Sequence, residues 1–381
     1  MTQIPVKGKV LKWAREFRGL SQEAAAERLG LSASELQEYE EEKRVPTLSL
    51  FESFAAKYRL PQATLFLDSP PKIPAPPTDF RSVGGRKALR HSFEFENALS
   101  NVRTFLFHYS RIAAEDEEFT TPRLPALSMD NDPDTLGERE RRRFNISPDQ
   151  QLAWSSKDAF GNWRAILEDR GVLVFQQKFP LDDCRGLSIF EDENAPCIVV
   201  NKAETVDVAK TFTLWHEYCH LLLRKPGVSD QNFRNTTEVF CNRFAASFLI
   251  PRAALRQLLP RWPNEPVDWS QEDVARWSRR LKVSQRALAI RLEQLNLAPH
   301  GFAQKFEWSG QTPRKRQSSG GNYIATRLSE IGAAYTGRLL GAMDRGVIDS
   351  VQVVEATGIS DDGLDSARAY VNRKREVASA G

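Results

Sequence analysis

Thr213-Leu-Trp-His216-Glu217-Tyr-Cys-His220-Leu-Leu-Leu223 places the pattern H-E-x-x-H inside an apolar run. On a helix, residues four apart lie on one face about one turn apart, so His216 and His220 can grip the same ion. Glu217 projects beside them, within reach of a water at that ion, as a general base would. The flanking Phe212, Leu214, Trp215 and Leu221 to Leu223 bury such a helix and keep the site dry. With only five histidines in the chain, two at this spacing are hard to ascribe to chance.

A catalytic zinc needs a third protein ligand and an open fourth position. Downstream, Glu238-Val-Phe-Cys-Asn242-Arg-Phe-Ala-Ala-Ser-Phe-Leu-Ile-Pro251 sets an acid at the head of an apolar helix, which is costly unless the carboxylate is paired or ligated. Glu238 is therefore expected as the third ligand. Its competitors, Glu204 and Asp207, sit at or before the start of the first helix. Asn242, one turn after Glu238, is placed to orient a histidine ring or the carboxylate. A further donor to the reacting carbonyl is expected from His300, Arg243 or a tyrosine.

Around this centre the pattern is mainly α with a small antiparallel or mixed sheet, an α+β class. Helices are expected near 205–223 and 235–249, the second ended by Pro251. Gly171 to Phe175, Gly186 to Phe190 and Pro196 to Val200 carry strand patterns. Lys157 to Asp169 is amphipathic and helical, and a long helix covers about 92–115. The stretch around Asp130 to Asp134 is expected to be irregular. From Asn322 the pattern gives a long helix and then a short helical pair.

The chain has 381 residues, enough for two or three domains. With 41% hydrophobic and 27% charged residues it has an ordinary globular balance, and a net charge of +3 implies no nucleic-acid partner by itself. No apolar run reaches the roughly 18 residues of a membrane span, and the N-terminus lacks the apolar core of a secretory signal. Cys184, Cys197, Cys219 and Cys241 form no C-x-x-C pair, which fits reduced thiols in a cytoplasmic protein. Cys219 and Cys241 flank the metal motif, as packed thiols or as contacts to zinc.

The residues Phe212 to Leu223, followed by Glu238-x-x-x-Asn242-x-Phe-Ala-Ala-x-x-Leu-Ile-Pro251, resemble the ImmA/IrrE metallopeptidases, most strongly over about 150–255. The resemblance implies a minimal, gluzincin-like zincin core with Zn2+ as cofactor. It also implies an edge strand that receives an extended substrate, here Gly186 to Phe190 or Cys197 to Val200. Its implied substrate is a small helix-turn-helix repressor whose cleavage switches on stress, mobile-element or phage-defence genes, with single-stranded DNA as an activator in some relatives.

Leu20-Ser-Gln22 through Leu29-Gly30-Leu-Ser32, then Leu36-x-x-Tyr39 and Pro46-x-Leu48, resembles an Xre/Cro helix-turn-helix. Ser21 and Ser32 are placed as N-caps, the second with the Glu35 of a capping box, and Gly30 suits the turn. From Ser32 to Glu42 there are five glutamates and no Lys or Arg, which opposes phosphate contact. This module is expected either to bind duplex DNA or to pair with another helix-turn-helix, its own homodimer partner included.

The expected organisation is thus a helix-turn-helix (1–67), a Pro-rich linker (68–90), a zinc peptidase domain with helical lead-in (91–255), a basic helix-turn-helix-like region (256–315) and a helical C-terminal region (316–381). Residues 252–316 hold thirteen Lys and Arg against six Asp and Glu. Arg276, Arg279, Arg280 and Lys282, interleaved with tryptophans, are candidate single-strand contacts; the plainer reading makes the tryptophans core and the arginines a solvated face. The alternative for the whole chain is a DNA-binding regulator whose zincin domain senses rather than cuts.

Overall fold

The computed structural model describes residues 3–17, 20–58, 60, 62–70, 92–224, 231–259, 261–306 and 322–379. Most of the Pro-rich linker and the joint at 311–321 lie outside them. The chain divides into two compact units, Met1–Ser100 and Asn101–Gly381.

The first unit holds α1 (Gly8–Phe17), α2 (Gln22–Leu29), α3 (Ala33–Glu40), α4 (Leu48–Tyr58) and α5 (Gln62–Leu65). Val10, Leu11, Ala14, Leu36, Phe54 and Tyr58 form its core. The α2–α3 turn follows the sequence signals. Ser21 accepts from the Ala24 N–H, Ser32 and Glu35 form a capping box, and Gly30 takes φ +70°, where a side chain would be strained. Arg15 ties α1 to α3 through two hydrogen bonds to Glu40, of 2.6 and 3.0 Å.

The division falls within α6 (Phe93–Glu115). The second unit continues with α7 (Pro133–Arg143), α8 (Pro148–Ala153) and α9 (Ala159–Asp169), then β1 (Leu173–Gln177), β2 (Gly186–Ile189) and β3 (Cys197–Asn201). After the strands come α10 (Asp207–Leu223), α11 (Gln231–Leu249), α12 (Arg252–Leu258), α13 (Gln271–Leu281), α14 (Gln285–Gln294), α15 (Tyr323–Ile331), α16 (Ala333–Asp344), α17 (Ser350–Thr357) and α18 (Leu364–Ser379). The three strands run in the order β1-β3-β2, with β1 parallel and β2 antiparallel to β3. The protein is therefore mainly helical with one small mixed sheet.

Aromatic packing seats α10 on α11. The Trp215 ring stacks on Phe248 with centroids 3.6 Å apart, and Trp163 of α9 meets Trp215 edge-on at 5.3 Å. β1 is buried along its whole length; α9 packs against it, and α15 and α16 also cover it.

Two segments depart from expectation. The acidic stretch is not wholly irregular: Asp132 caps α7, accepting from the Thr135 N–H at 2.9 Å, with Pro133 in the first turn. An Asp-Pro pair heading a helix was the available signal. The tail does not open with one long helix. Gly332, at φ +84°, breaks it into α15 and α16, and a Cβ there would lie 2.2 Å from Glu168 Oε1. The long helix of the tail is the last one, α18.

α7 lies against α11 at a glycine. A Cβ on Gly137 would sit 1.9 Å from Ser247 Oγ and 2.5 Å from the Phe244 carbonyl oxygen. Gly137→Ala should cost about 1–3 kcal/mol, the usual penalty for overpacking. Denaturant unfolding measures it, and an unchanged midpoint would show that the two helices can part freely.

Candidate metal centre

α10 and α11 converge where the sequence placed a metal. His216 Nε2 lies 3.1 Å from Glu238 Oε2, His220 Nε2 lies 3.3 Å from Glu238 Oε1, and the two ring nitrogens are 3.2 Å apart. A tetrahedral ion with bonds of about 2.0–2.1 Å needs donors about 3.3 Å apart. The three side chains fit that edge length.

Protonation supports the same fit. Asn242 Oδ1 can only accept, and it lies 3.0 Å from His216 Nδ1. The ring proton therefore sits on Nδ1, and the Nε2 lone pair faces the centre. Two lone pairs and a carboxylate this close repel unless a positive charge stands between them. In the chain by itself a proton can take that place. Burial alone would lower the His220 pKa, but hydrogen bonding to Cys241 and Glu238 outweighs it and leaves it well above the ordinary value. Burial likewise works to raise the Glu238 pKa, and the hydrogen bonds and charges of His216 and His220 overcome it and hold the carboxyl far below its usual range.

His220 Nδ1 is buried without a well-formed hydrogen bond, although the Cys241 thiol lies beside it. A protonated thiol is a weak partner, so Glu238, at 3.3 Å from Nε2, is the firmer support of a charged His220. Burial keeps the Cys241 thiol protonated, well above its ordinary pKa, and Cys219 next to it reinforces this. Both thiols are buried and free.

Glu217 is buried, 8% exposed, on the same helix. Beside it runs β2, and the approach is so close that a Cβ on Gly186 would lie 2.4 Å from Thr213 Cγ2 and 3.3 Å from Glu217 Cγ. Only glycine permits it. β2 is an edge of the sheet, whereas Cys197 to Val200 belong to β3, hydrogen-bonded on both sides. The second of the two expected substrate strands is thus unavailable.

The competing ligands are engaged elsewhere. Glu204 pairs with Arg185 and accepts the Val206 N–H, and Asp207 meets Lys210 at 3.4 Å. Of the expected carbonyl donors, Arg243 is bound to Asp132 and Asp134 at 3.1 and 3.0 Å. The Tyr218 hydroxyl points to Glu140 at 3.4 Å. His300 is exposed in the turn after α14.

The basic region divides. Arg276, Arg279 and Arg280 are exposed on α13, Arg276 paired with Asp273 at 2.5 Å. Lys282 corrects the expectation of a nucleic-acid contact: it is buried, and its amine donates to the Gln151 and Leu152 carbonyls at 3.0 and 2.6 Å. Trp277, Phe302 and Phe306 are core, and Trp262 and Trp269 pack against it; Trp308 lies outside the described residues. The α13–α14 corner repeats the α2–α3 geometry, with Lys282 at φ +55° where Gly30 stands and Ser284 capping as Ser32 does.

Residues 167–293 match the family model described as the IrrE N-terminal-like domain, which spans the whole metal centre and most of α14. Residues 8–65 match one described as a helix-turn-helix domain. Neither the curated proteins nor the solved structures gave a match. The chain therefore carries an ImmA/IrrE peptidase-type domain preceded by a helix-turn-helix, a protease/regulator architecture. No described helix is long and apolar enough to cross a membrane.

A raised His220 pKa favours the protonated ring, and a divalent ion competes with that proton. With the folded pKa raised, the competition strengthens as pH falls. Metal titration in buffers of different ionisation enthalpy should show proton release, and affinity should weaken towards low pH. An affinity flat across pH 6 to 8 would contradict the assignment.

Proposed function

We propose that this chain is a zinc-dependent endopeptidase. The observation that carries the reading is the convergence of ligand atoms of His216 and His220 on α10 and Glu238 on α11 within 4.8 Å of one another, with Glu217 on α10 between the two histidines and β2, an edge strand, beside it. His216, His220 and Glu238 would hold the ion, and zinc would supply Lewis acidity that polarises a carbonyl and makes water reactive near neutral pH. An extended substrate adds to the β2 edge through main-chain hydrogen bonds, which brings one of its carbonyls to the end of α10. Glu217 takes the proton from the attacking water and returns it to the leaving amine. Its burial beside Gly186 keeps the carboxylate close to the strand. Asn242 fixes the His216 ring by holding its Nδ1 proton.

The substrate in this reading is a helix-turn-helix transcriptional repressor, and its cleavage derepresses stress, mobile-element or phage-defence genes. The paired domains support it, since a helix-turn-helix joined to a peptidase brings the cutting site to a regulator. The enzyme acts in the cytoplasm, where its four thiols stay reduced. The second reading, a DNA-binding regulator with a sensing zincin domain, rests on the same helix-turn-helix, but it gives the buried Glu217 no task.

Two variants separate metal from chemistry. Glu217→Gln should retain stoichiometric zinc and lose about 100-fold to 10,000-fold in cleavage of the repressor, the usual range for a lost general base. Glu238→Ala should lose zinc as well as activity. Cleavage by Glu217→Gln at the wild-type rate, followed by mass spectrometry, would remove Glu217 from the mechanism.

Single-stranded DNA is the activator in this scheme, contacted by the exposed Arg276, Arg279 and Arg280 of α13. Reversing charge at Arg279 and Arg280 should weaken binding of a labelled oligonucleotide and flatten its salt dependence. Unaltered anisotropy titrations would assign the arginines to a solvated face.

A further inference from the structure

At the N-terminal margin of the peptidase-type domain match, and mostly beyond it, α9, α16 and α18 line a half-open cavity of about 260 Å³. Ala333, Ala334, Gly337 and Gly341 of α16, with Ala165 and Ala378, give it a wall of small residues. Four cations line it, Arg338, Arg345, Lys374 and Arg375, against two carboxylates, Glu168 and Asp169.

The carboxylates do not balance the cations. Glu168 is spent at the back wall, where it accepts from Arg164 Nε at 2.9 Å and from the Ala333 N–H at 3.0 Å. Asp169 is exposed at the end of α9. Arg345 is held by Asp116. No carboxylate among the described residues forms an ion pair with Arg338 or Lys374. Arg338 lies with its guanidinium 4.5 Å from the Phe119 ring centroid. The Lys374 amine is half-buried against α9, 3.3 Å from where a Cβ on Gly161 would be. Burial lowers its pKa, and the Arg164 charge adds to this. An amine so placed gains from an anion in the cavity.

We propose that this cavity binds a phosphate dianion, free or as the monoester of a small molecule. A dianion matches two lining cations that have no carboxylate ion pair among the described residues better than a single carboxylate does, and the volume lies near the lower limit for ligand sites, about 300 Å³. The small residues of α16 let the ligand approach the helix, and Lys374 and Arg338 supply the unpaired charge. α9, which forms one wall, packs on α10, so a ligand here touches the support of the metal helix.

The test is calorimetry and thermal shift on the full chain, with inorganic phosphate, ribose 5-phosphate and uncharged ribose as probes. Saturable binding of phosphate or ribose 5-phosphate, but not ribose, is expected, and the tighter of the two identifies free ion or monoester. Lys374→Met should weaken it about tenfold or more, the loss of one charge-assisted hydrogen bond. Ala378→Phe, which fills the cavity without touching a charge, should abolish it and guards against misfolding of the first variant. Absence of saturable binding to the wild type, or equal binding by a folded Ala378→Phe protein, overturns the proposal.

Discussion

Three successive carbonyls at the end of α11 have no helical partner, and three buried side chains from distant parts of the chain take them. Arg141 Nη1 donates to Phe248 at 3.0 Å, Gln151 Nε2 to Leu249 at 3.0 Å, and Arg291 Nε to Ile250 at 3.1 Å. Orphan carbonyls at a buried helix end are costly, and the helix dipole adds negative charge there. Two of the three donors are guanidinium groups, whose positive charge suits that end. Burial lowers the pKa of both Arg141 and Arg291, but Arg291 also pairs with Glu138 and Asp134. Arg141 instead lies over the Trp163 and Phe248 rings. With this end fixed and Gly137 allowing α7 close alongside, α11 has no freedom to slide. Glu238, near the middle of α11, is thereby held where the α10 histidines can share an ion with it.

The same clamp explains how charge that looks like an interface in the sequence becomes structure. Lys282 and Arg291 both belong to the segment whose excess of basic residues pointed to nucleic acid. Arg291 serves α11, and Lys282 serves the end of α8, where Gln151 in turn holds the Leu281 carbonyl at 2.8 Å. Of the four candidate contacts, the three on the outer face of α13 remain available to solvent. A linear count of Lys and Arg cannot make this division, because it depends on which carbonyls a remote helix leaves unsatisfied.

Local signals and long-range ones differ in the same way throughout. The two histidines and Glu217 were legible because helical spacing alone sets their relation. Glu238 and Asn242 were legible as an acid and an amide one turn apart on the helix after the motif; both are exposed, so the burial cost expected of the acid does not arise, and what draws them in is the pair of α10 histidines. The α2–α3 turn was legible from Ser21, Gly30 and Ser32. By contrast, which of two strands forms the sheet edge is fixed by pairing across more than ten residues, so β2 and β3 could not be told apart. The break at Gly332 lay equally hidden: its cause is Glu168, more than 160 residues earlier, whose carboxylate caps α16 and leaves no room for a side chain.

The acidic α3 shows how far local bookkeeping alters a charge argument. Of the five glutamates in α3 and the two residues after it, Glu40 is an internal partner of Arg15, Glu42 accepts the Gly8 N–H at the start of α1, and Glu35 closes the capping box. Each stabilises the unit's own fold, so three of the five charges have a reason to exist that concerns no partner. Glu41 and Glu38 remain, with Lys43 at 2.6 Å and Arg44 at 3.4 Å beside them, and exposed ion pairs of this kind hold each other weakly. A phosphate backbone would compete for Lys43 and Arg44 while facing the two carboxylates they release. A basic protein surface would meet those carboxylates directly, and the lysine and arginine could swing away at little cost. On electrostatic grounds α3 thus approaches a phosphate backbone at a cost that a basic protein surface would not impose.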